Sequence, residues 1–140
     1  MTFHEVDIVA RTIYGEARGE YGRKDGGLAA LVAVGNVIIN RMKDKRRYGE
    51  TLIRICQKPY QFSCWLKGDP NRSLIESVNQ NDEVFKRCVE VSENLIYGRW
   101  PDLTGGSDHY HADYVMPPWA NKKHLRIKIG RHLFYRLGGF

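Results

Sequence analysis

Two groups of side chains in this chain have types and spacing that could do chemistry: Glu16 with Glu20 near the amino-terminal end, and His109 with His111 in the last third. Glu16 is the more informative. At 100° per residue, Val6, Val9, Ala10, Ile13 and Ala17 fall within one broad stripe, with Asp7, Arg11 and Arg18 opposite. Glu16 then lies beside Val9 and Ile13, at the border of the buried stripe. A carboxyl group placed there is partly desolvated, and desolvation favours the protonated form. Such a group can give a proton to a leaving oxygen and afterwards act as a base. Breaking a glycosidic bond requires this. The same spacing also fits a surface carboxylate in a weak ion pair, flanked by Arg18 and followed by Glu20.

Glu20, four residues on, would lie beside Glu16 if the helix continued, but Gly19 weakens that geometry. A second carboxylate serves as nucleophile in retaining hydrolysis, or activates water in inverting hydrolysis. None is needed where the substrate's own groups finish the reaction. Asp25, Asp108 and Asp113 are further candidates, with no spacing that singles one out. The run Asp108-His109-x-His111, with Asp113 continuing the alternation, offers ligand atoms on one strand face, as a zinc site would. No HExxH helix and no clear third ligand position accompany it, so no metal is expected.

These residues need elements to hold them. A helix from about Phe3 to Arg18 carries Glu16, with Gly19 as its expected stop and Glu20 to Gly27 as a glycine-bearing loop. A second helix, from about Gly27 to Met42, is apolar nearly all round, as a helix surrounded by protein must be. Its polar exceptions Asn36 and Asn40 share a face and suit either buried loop backbone or a ligand. A basic loop, KDKRRYG, leads to a short helical stretch ETLIRICQ and an irregular aromatic segment. A helical region follows from about Asn71, with its best run from Asp82 to Tyr97, and Leu103 to Ser107 form a glycine-rich loop. HYHADYV and LRIKIGRHLFYR read as short strands around a turn at Gly130. The expectation is one α+β domain over 1–140: a helical core with a small antiparallel sheet or hairpin.

Composition agrees. The 140 residues are 42% hydrophobic and 27% charged, which excludes disordered and fibrous classes. Twenty-two basic against sixteen acidic residues give +6, favouring nucleic acid, anionic lipid or an anionic cell wall. No stretch reaches the roughly 18–20 apolar residues of a membrane span, so stable membrane insertion is not expected. Glu5 and Asp7 stand where a signal peptide would be basic, so synthesis in the cytoplasm without export by that route is expected. Cys56, Cys64 and Cys88 lack paired spacing and read as buried free thiols.

ARTIYGEARGE, a loop, and then GLAALVAVGNVIINRM resemble the opening of the cell-wall hydrolase family typified by the spore-cortex-lytic enzyme SleB. YQFSCW, DHYHADYVMPPWA and IGRHLFYR are similar to that family's later blocks, in the same order, from about Val6 to Arg136. The resemblance implies a lysozyme-like, mainly helical fold acting on peptidoglycan glycan strands, with Glu16 as catalytic acid and base and no cofactor. It further implies a lytic transglycosylase: the acid protonates the oxygen between N-acetylmuramic acid and N-acetylglucosamine, then helps the muramoyl 6-hydroxyl close on the anomeric carbon. A small basic domain of this kind resembles a phage or prophage endolysin, acting as a monomer at the wall or in the periplasm.

Sugars bind by stacking on aromatic faces and by hydrogen bonds. Gln61, Phe62, Ser63 and Trp65 therefore suit one side of a groove, with Tyr110 and Trp119 opposite. Asn40, with Arg41, would contact sugar or hold the loop shaping the groove, and His111 suits a sugar-binding or supporting place. Two other readings stay open: muramidase or amidase action on the same substrate, and a basic nucleic-acid-binding module built on Lys43, Lys45, Arg46 and Arg47. The latter lacks a recognition helix or zinc-finger spacing, and nucleic acid is not an expected partner.

Overall fold

The structure, a computed structural model, describes residues 3–59 and 61–138. Helices α1 (Phe3–Tyr21), α2 (Leu28–Arg41), α3 (Lys45–Tyr48), α4 (Leu52–Gln57), α5 (Pro70–Ser77) and α6 (Glu83–Ile96) precede strands β1 (His109–Ala112), β2 (Leu125–Ile129) and β3 (His132–Tyr135). One-turn 3-10 helices lie at Ser63–Trp65 and Lys122–His124. Asp44, Thr51, Asp69 and Asp82 start α3 to α6, each accepting a hydrogen bond from a backbone N–H of the first turn. The stretch KDKRRYG, expected as a loop, thus contains a single capped turn.

Helix α2 is the centre of the body: Ala30 to Ile38 are buried without interruption. Fully burying a side chain such as Leu31 or Ile38 contributes about 1.5–3 kcal/mol. Helices α1 and α6 cover it, and Gly35 lets α6 come close, since a Cβ there would sit 2.5 Å from Leu95 Cδ1. The Ser92 hydroxyl donates to the Val6 carbonyl at 2.7 Å, tying α6 to α1. Arg11 reaches across to the carbonyls of Ile75 and Val78 at 2.6 and 2.9 Å, satisfying acceptors that the end of α5 leaves open.

The strands form one antiparallel sheet in the order β1-β3-β2, with Tyr110 opposite Phe134 and His111 opposite Leu133. Strands β2 and β3 turn at Gly130, whose φ of 59° favours glycine. Gly19 does not stop α1, which runs on to Tyr21. The reason is tertiary. Glu20, 5% exposed, accepts the Arg131 backbone N–H at 2.7 Å, and its own carbonyl accepts from Gly27 N at 3.0 Å. The last turn is therefore held by the sheet and by the following loop, which local propensity does not register. Mainly helical with a small antiparallel sheet, the fold matches the expected class. Cys56, Cys64 and Cys88 are free and buried.

Candidate active site

Glu16 lies on the face of α1 that meets the sheet. Its Oε1 accepts a hydrogen bond from the Tyr110 hydroxyl of β1, and its Oε2 accepts from the Cys64 backbone N–H at 3.4 Å. Two positions make this meeting possible. Strand alternation sends His109 and His111 to one face and Tyr110 to the other, where it faces the helical body. Gly15 lets the Ser63–Trp65 turn approach α1, because a Cβ there would be 2.7 Å from Cys64 Cβ and 2.9 Å from Ile75 Cγ2. Burial, and then the Glu16 carboxylate, push the Tyr110 phenol well above its ordinary range, so it stays a donor.

Hollows lie on both sides of this contact. One, of about 260 Å³, is lined by Gly15, Glu16, Gly19, Glu20, Asn71 and Arg131, among others. The other, of about 250 Å³, is lined by Arg41, Tyr48, Gln61, His109, Tyr110 and Trp119. Each is smaller than the roughly 300–1,000 Å³ of a complete small-molecule pocket, so each suits one unit of a longer ligand. Glu16 lines the first and Tyr110 the second, so their hydrogen bond links the walls of two polar hollows.

Gln61, Tyr110 and Trp119 are thus brought together around one hollow. Gln61 Oε1 accepts from Arg41 Nη1 at 3.0 Å, and Trp119 is packed edge-on to His109, His111 and Tyr135. Other expected contacts are placed differently. Phe62 is 2% exposed, in the core beneath the Arg41 guanidinium. Trp65 donates to the Thr12 hydroxyl at 2.8 Å and lines a separate hollow near Arg72. Ser63 is exposed and lines none of the hollows described. Tyr60, the first residue of the YQFSCW block, lies outside the described residues. Asn40 is 2% exposed, its amide donating to Asp102 and to the Ser107 carbonyl, both at 2.9 Å, so it holds the glycine-rich loop. Asn36 does the same through the Leu103 N–H. His111 is buried, with Nδ1 at 2.7 Å from the Ala112 carbonyl and Nε2 at 2.8 Å from the Tyr135 hydroxyl, so it supports the wall behind Trp119.

Glu20 joins Glu16 in the first hollow, but both its oxygens are engaged: Oε1 by the Arg131 N–H, Oε2 by the Arg131 guanidinium at 3.5 Å. His132, in the same hollow, is held neutral because burial lowers its pKa, and its Nδ1 has no partner among the described residues. Arg18 donates to Asn71 at 2.6 Å. Arg18, Asn71, Arg131 and His132 were not readable from spacing: they come from three separate stretches, and only tertiary packing gathers them. Among the described residues no group of three or more His, Cys, Asp and Glu side chains is arranged to hold a metal.

This chain belongs to the cell wall hydrolase family, whose model matches residues 26–135. Glu16 and Glu20 lie ahead of that stretch, but the structural likeness includes nearly the whole chain. The catalytic domain of the germination-specific lytic transglycosylase SleB from Bacillus anthracis matches with a TM-score of 0.70 and 26% identity, over 97% of each chain. The catalytic domain of the Bacillus cereus SleB protein matches with a TM-score of 0.67 and 22% identity, over 96% of this chain and 91% of that one. No curated protein sequence matches. The molecule is a cell-wall lytic enzyme on the SleB catalytic fold.

Proposed function

We propose that this enzyme cleaves the glycan strands of peptidoglycan between N-acetylmuramic acid and N-acetylglucosamine as a lytic transglycosylase, with Glu16 as acid and then base. The observation that carries the reading is the Glu16–Tyr110 hydrogen bond between two polar hollows, one lined by each residue. The resemblance to the Bacillus anthracis enzyme supplies the reaction class.

The chemistry follows from the contacts. The Tyr110 hydroxyl occupies Oε1, so the transferable proton sits on Oε2, whose described partner is the long contact from Cys64 N–H. Oε2 gives that proton to the bridging oxygen as the glycosidic bond breaks and positive charge grows at the anomeric carbon. The resulting carboxylate stabilises that charge and then takes the proton of the muramoyl 6-hydroxyl as its oxygen bonds to the anomeric carbon. The products are a 1,6-anhydro end and a free N-acetylglucosamine end, and no water is consumed. Glu20 is held by Arg131, which favours a single-carboxylate mechanism over hydrolysis with a second acid.

Glu16→Gln keeps the shape and removes the transferable proton. It should lower release of soluble fragments from purified cell walls to a few per cent or less, with an unchanged circular dichroism spectrum. Mass spectrometry of the wild-type digest should show anhydromuramoyl ends; reducing muramic acid ends would mean hydrolysis, and free stem peptides an amidase. The setting we propose is that of an endolysin at the bacterial wall, where +6 favours anionic polymers. Production in the bacterial cytoplasm should then lyse cells only when a membrane-permeabilising protein is made alongside; equal lysis without it would exclude this setting.

A further inference from the structure

We propose that the hollow beside Tyr110 receives a carboxylate borne by the ligand, with Arg41 as the cation that binds it. This rests on the glycan reading above and adds the chemical identity of one unit of the chain. Arg41 is 6% exposed, yet it lines the hollow. Its Nε donates to the Asp108 carbonyl at 2.9 Å and its Nη1 to Gln61 Oε1 at 3.0 Å, both neutral acceptors. The Tyr48 and Phe62 rings lie 5.0 Å from its guanidinium carbon. Among the described residues no carboxylate lies within ion-pairing distance of it.

The Asp108 carboxylate is turned to other partners, the backbone N–H groups of Leu137 and Gly138 and the His109 ring. A buried guanidinium without a paired anion is costly. A ligand carboxylate meeting its planar fork would offset that cost with charge-assisted hydrogen bonds. The hollow on the other side of Glu16 has no such excess: Glu16 and Glu20 stand there against Arg18 and Arg131, and Arg131 is paired with Glu20. In peptidoglycan only alternate sugars carry an acidic substituent, so this difference in charge fixes which sugar sits on which side of the cut. The acid-bearing unit goes beside Trp119 and Arg41, and the neutral one beside Asn71 and Arg131.

The carboxylate is that of the lactyl group on a peptide-free muramic acid, or that of a single alanine left on the lactyl group by a trimmed stem peptide. The test titrates the Glu16→Gln protein with three tetrasaccharides by calorimetry and nuclear magnetic resonance. One is the N-acetylglucosamine–N-acetylmuramic acid repeat with free lactyl groups. The second carries L-alanine on each lactyl group, moving the carboxylate outward. The third is chitotetraose, which has none. At least one acidic ligand should bind about tenfold or more tightly than chitotetraose, with the Trp119 indole N–H resonance shifting; the tighter of the two identifies the source. Equal affinity for all three overturns the proposal, as does a preference whose shifts fall on Gly19 and Asn71 in place of Trp119. If wild-type enzyme still cleaves walls in that case, only the carboxylate site falls. If no ligand binds and no wall fragments are released, the glycan reading falls with it.

Discussion

Gly15→Ala is the substitution for which local and tertiary reasoning disagree most sharply. Inside a helix, replacing glycine by alanine should stabilise by about 0.5–1 kcal/mol. At Gly15, however, the new Cβ would lie 2.7 Å from Cys64 Cβ, 2.9 Å from Cys64 Sγ and 2.9 Å from Ile75 Cγ2. Carbon atoms in contact prefer about 3.5–4.0 Å, so the Ser63–Trp65 turn must move out by several tenths of an ångström or more. Cys64 and Ile75 are both fully buried, and overpacking of this kind costs about 1–3 kcal/mol, which outweighs the helix gain. The same displacement lengthens the Cys64 N–H contact to Glu16, already 3.4 Å, beyond hydrogen-bonding reach. Gly19→Ala, one turn along, is the control: nothing lies within 4 Å of its Cβ position, so the helix gain stands alone. Urea midpoints and the rate of cell-wall solubilisation should show Gly15→Ala destabilised by about 1 kcal/mol with a disproportionate loss of lysis, and Gly19→Ala stabilised. If Gly15→Ala gains as much stability as Gly19→Ala and lyses walls at the wild-type rate, the packing argument for Glu16 is refuted.

Two further outcomes concern acids away from the proposed chemistry. Burial would raise the Asp108 pKa, but the His109 ring and the Leu137 and Gly138 N–H groups outweigh it and hold it at about 2, below the ordinary 3.8. Its bonds therefore stabilise the fold above the unfolded-state value, and that stabilisation is lost as pH falls through 3.8 toward about 2. Asp108→Asn should cost roughly 1–2 kcal/mol near neutrality after solvent screening, and the gap in urea midpoints should close in acid; a gap independent of pH would refute this. Glu20→Gln leaves the shape but removes the charge facing Arg131 and Arg23, and should lower stability by roughly 1.5–3 kcal/mol. A loss under about 0.5 kcal/mol would mean that Glu20 does not latch the sheet to α1.

The parts of the fold that could be read from the chain are those whose cause is local. Apolar residues all round 28–39 announce α2, the stripe from Val6 to Ala17 orients α1, and β-branched and aromatic residues on either side of Gly130 give β2 and β3. Glu16 could be singled out because one helical period places it at the stripe's border. What escaped was set by distant partners. Gly19 reads as a stop, because nothing nearby discloses that Arg131 will seize Glu20. Phe62 and Asn40 have the chemistry of sugar-binding residues, but the body needed one as core and the other as a clasp for the 103–107 loop. Tyr110 was legible as a wall residue only through its place in the DHYHADYVMPPWA block that carries the family resemblance. Its bond to Glu16 was not, because no pattern within a strand identifies a partner on a helix.

The bond between Glu16 and Tyr110 joins residues 94 positions apart, and β1 is paired along its length with β3. On a ribosome, the carboxylate emerges before residues 132–135, and the strand that carries its phenol lacks its sheet neighbour until they are out. Any lytic power routed through this contact is therefore withheld from translation products cut short before β3.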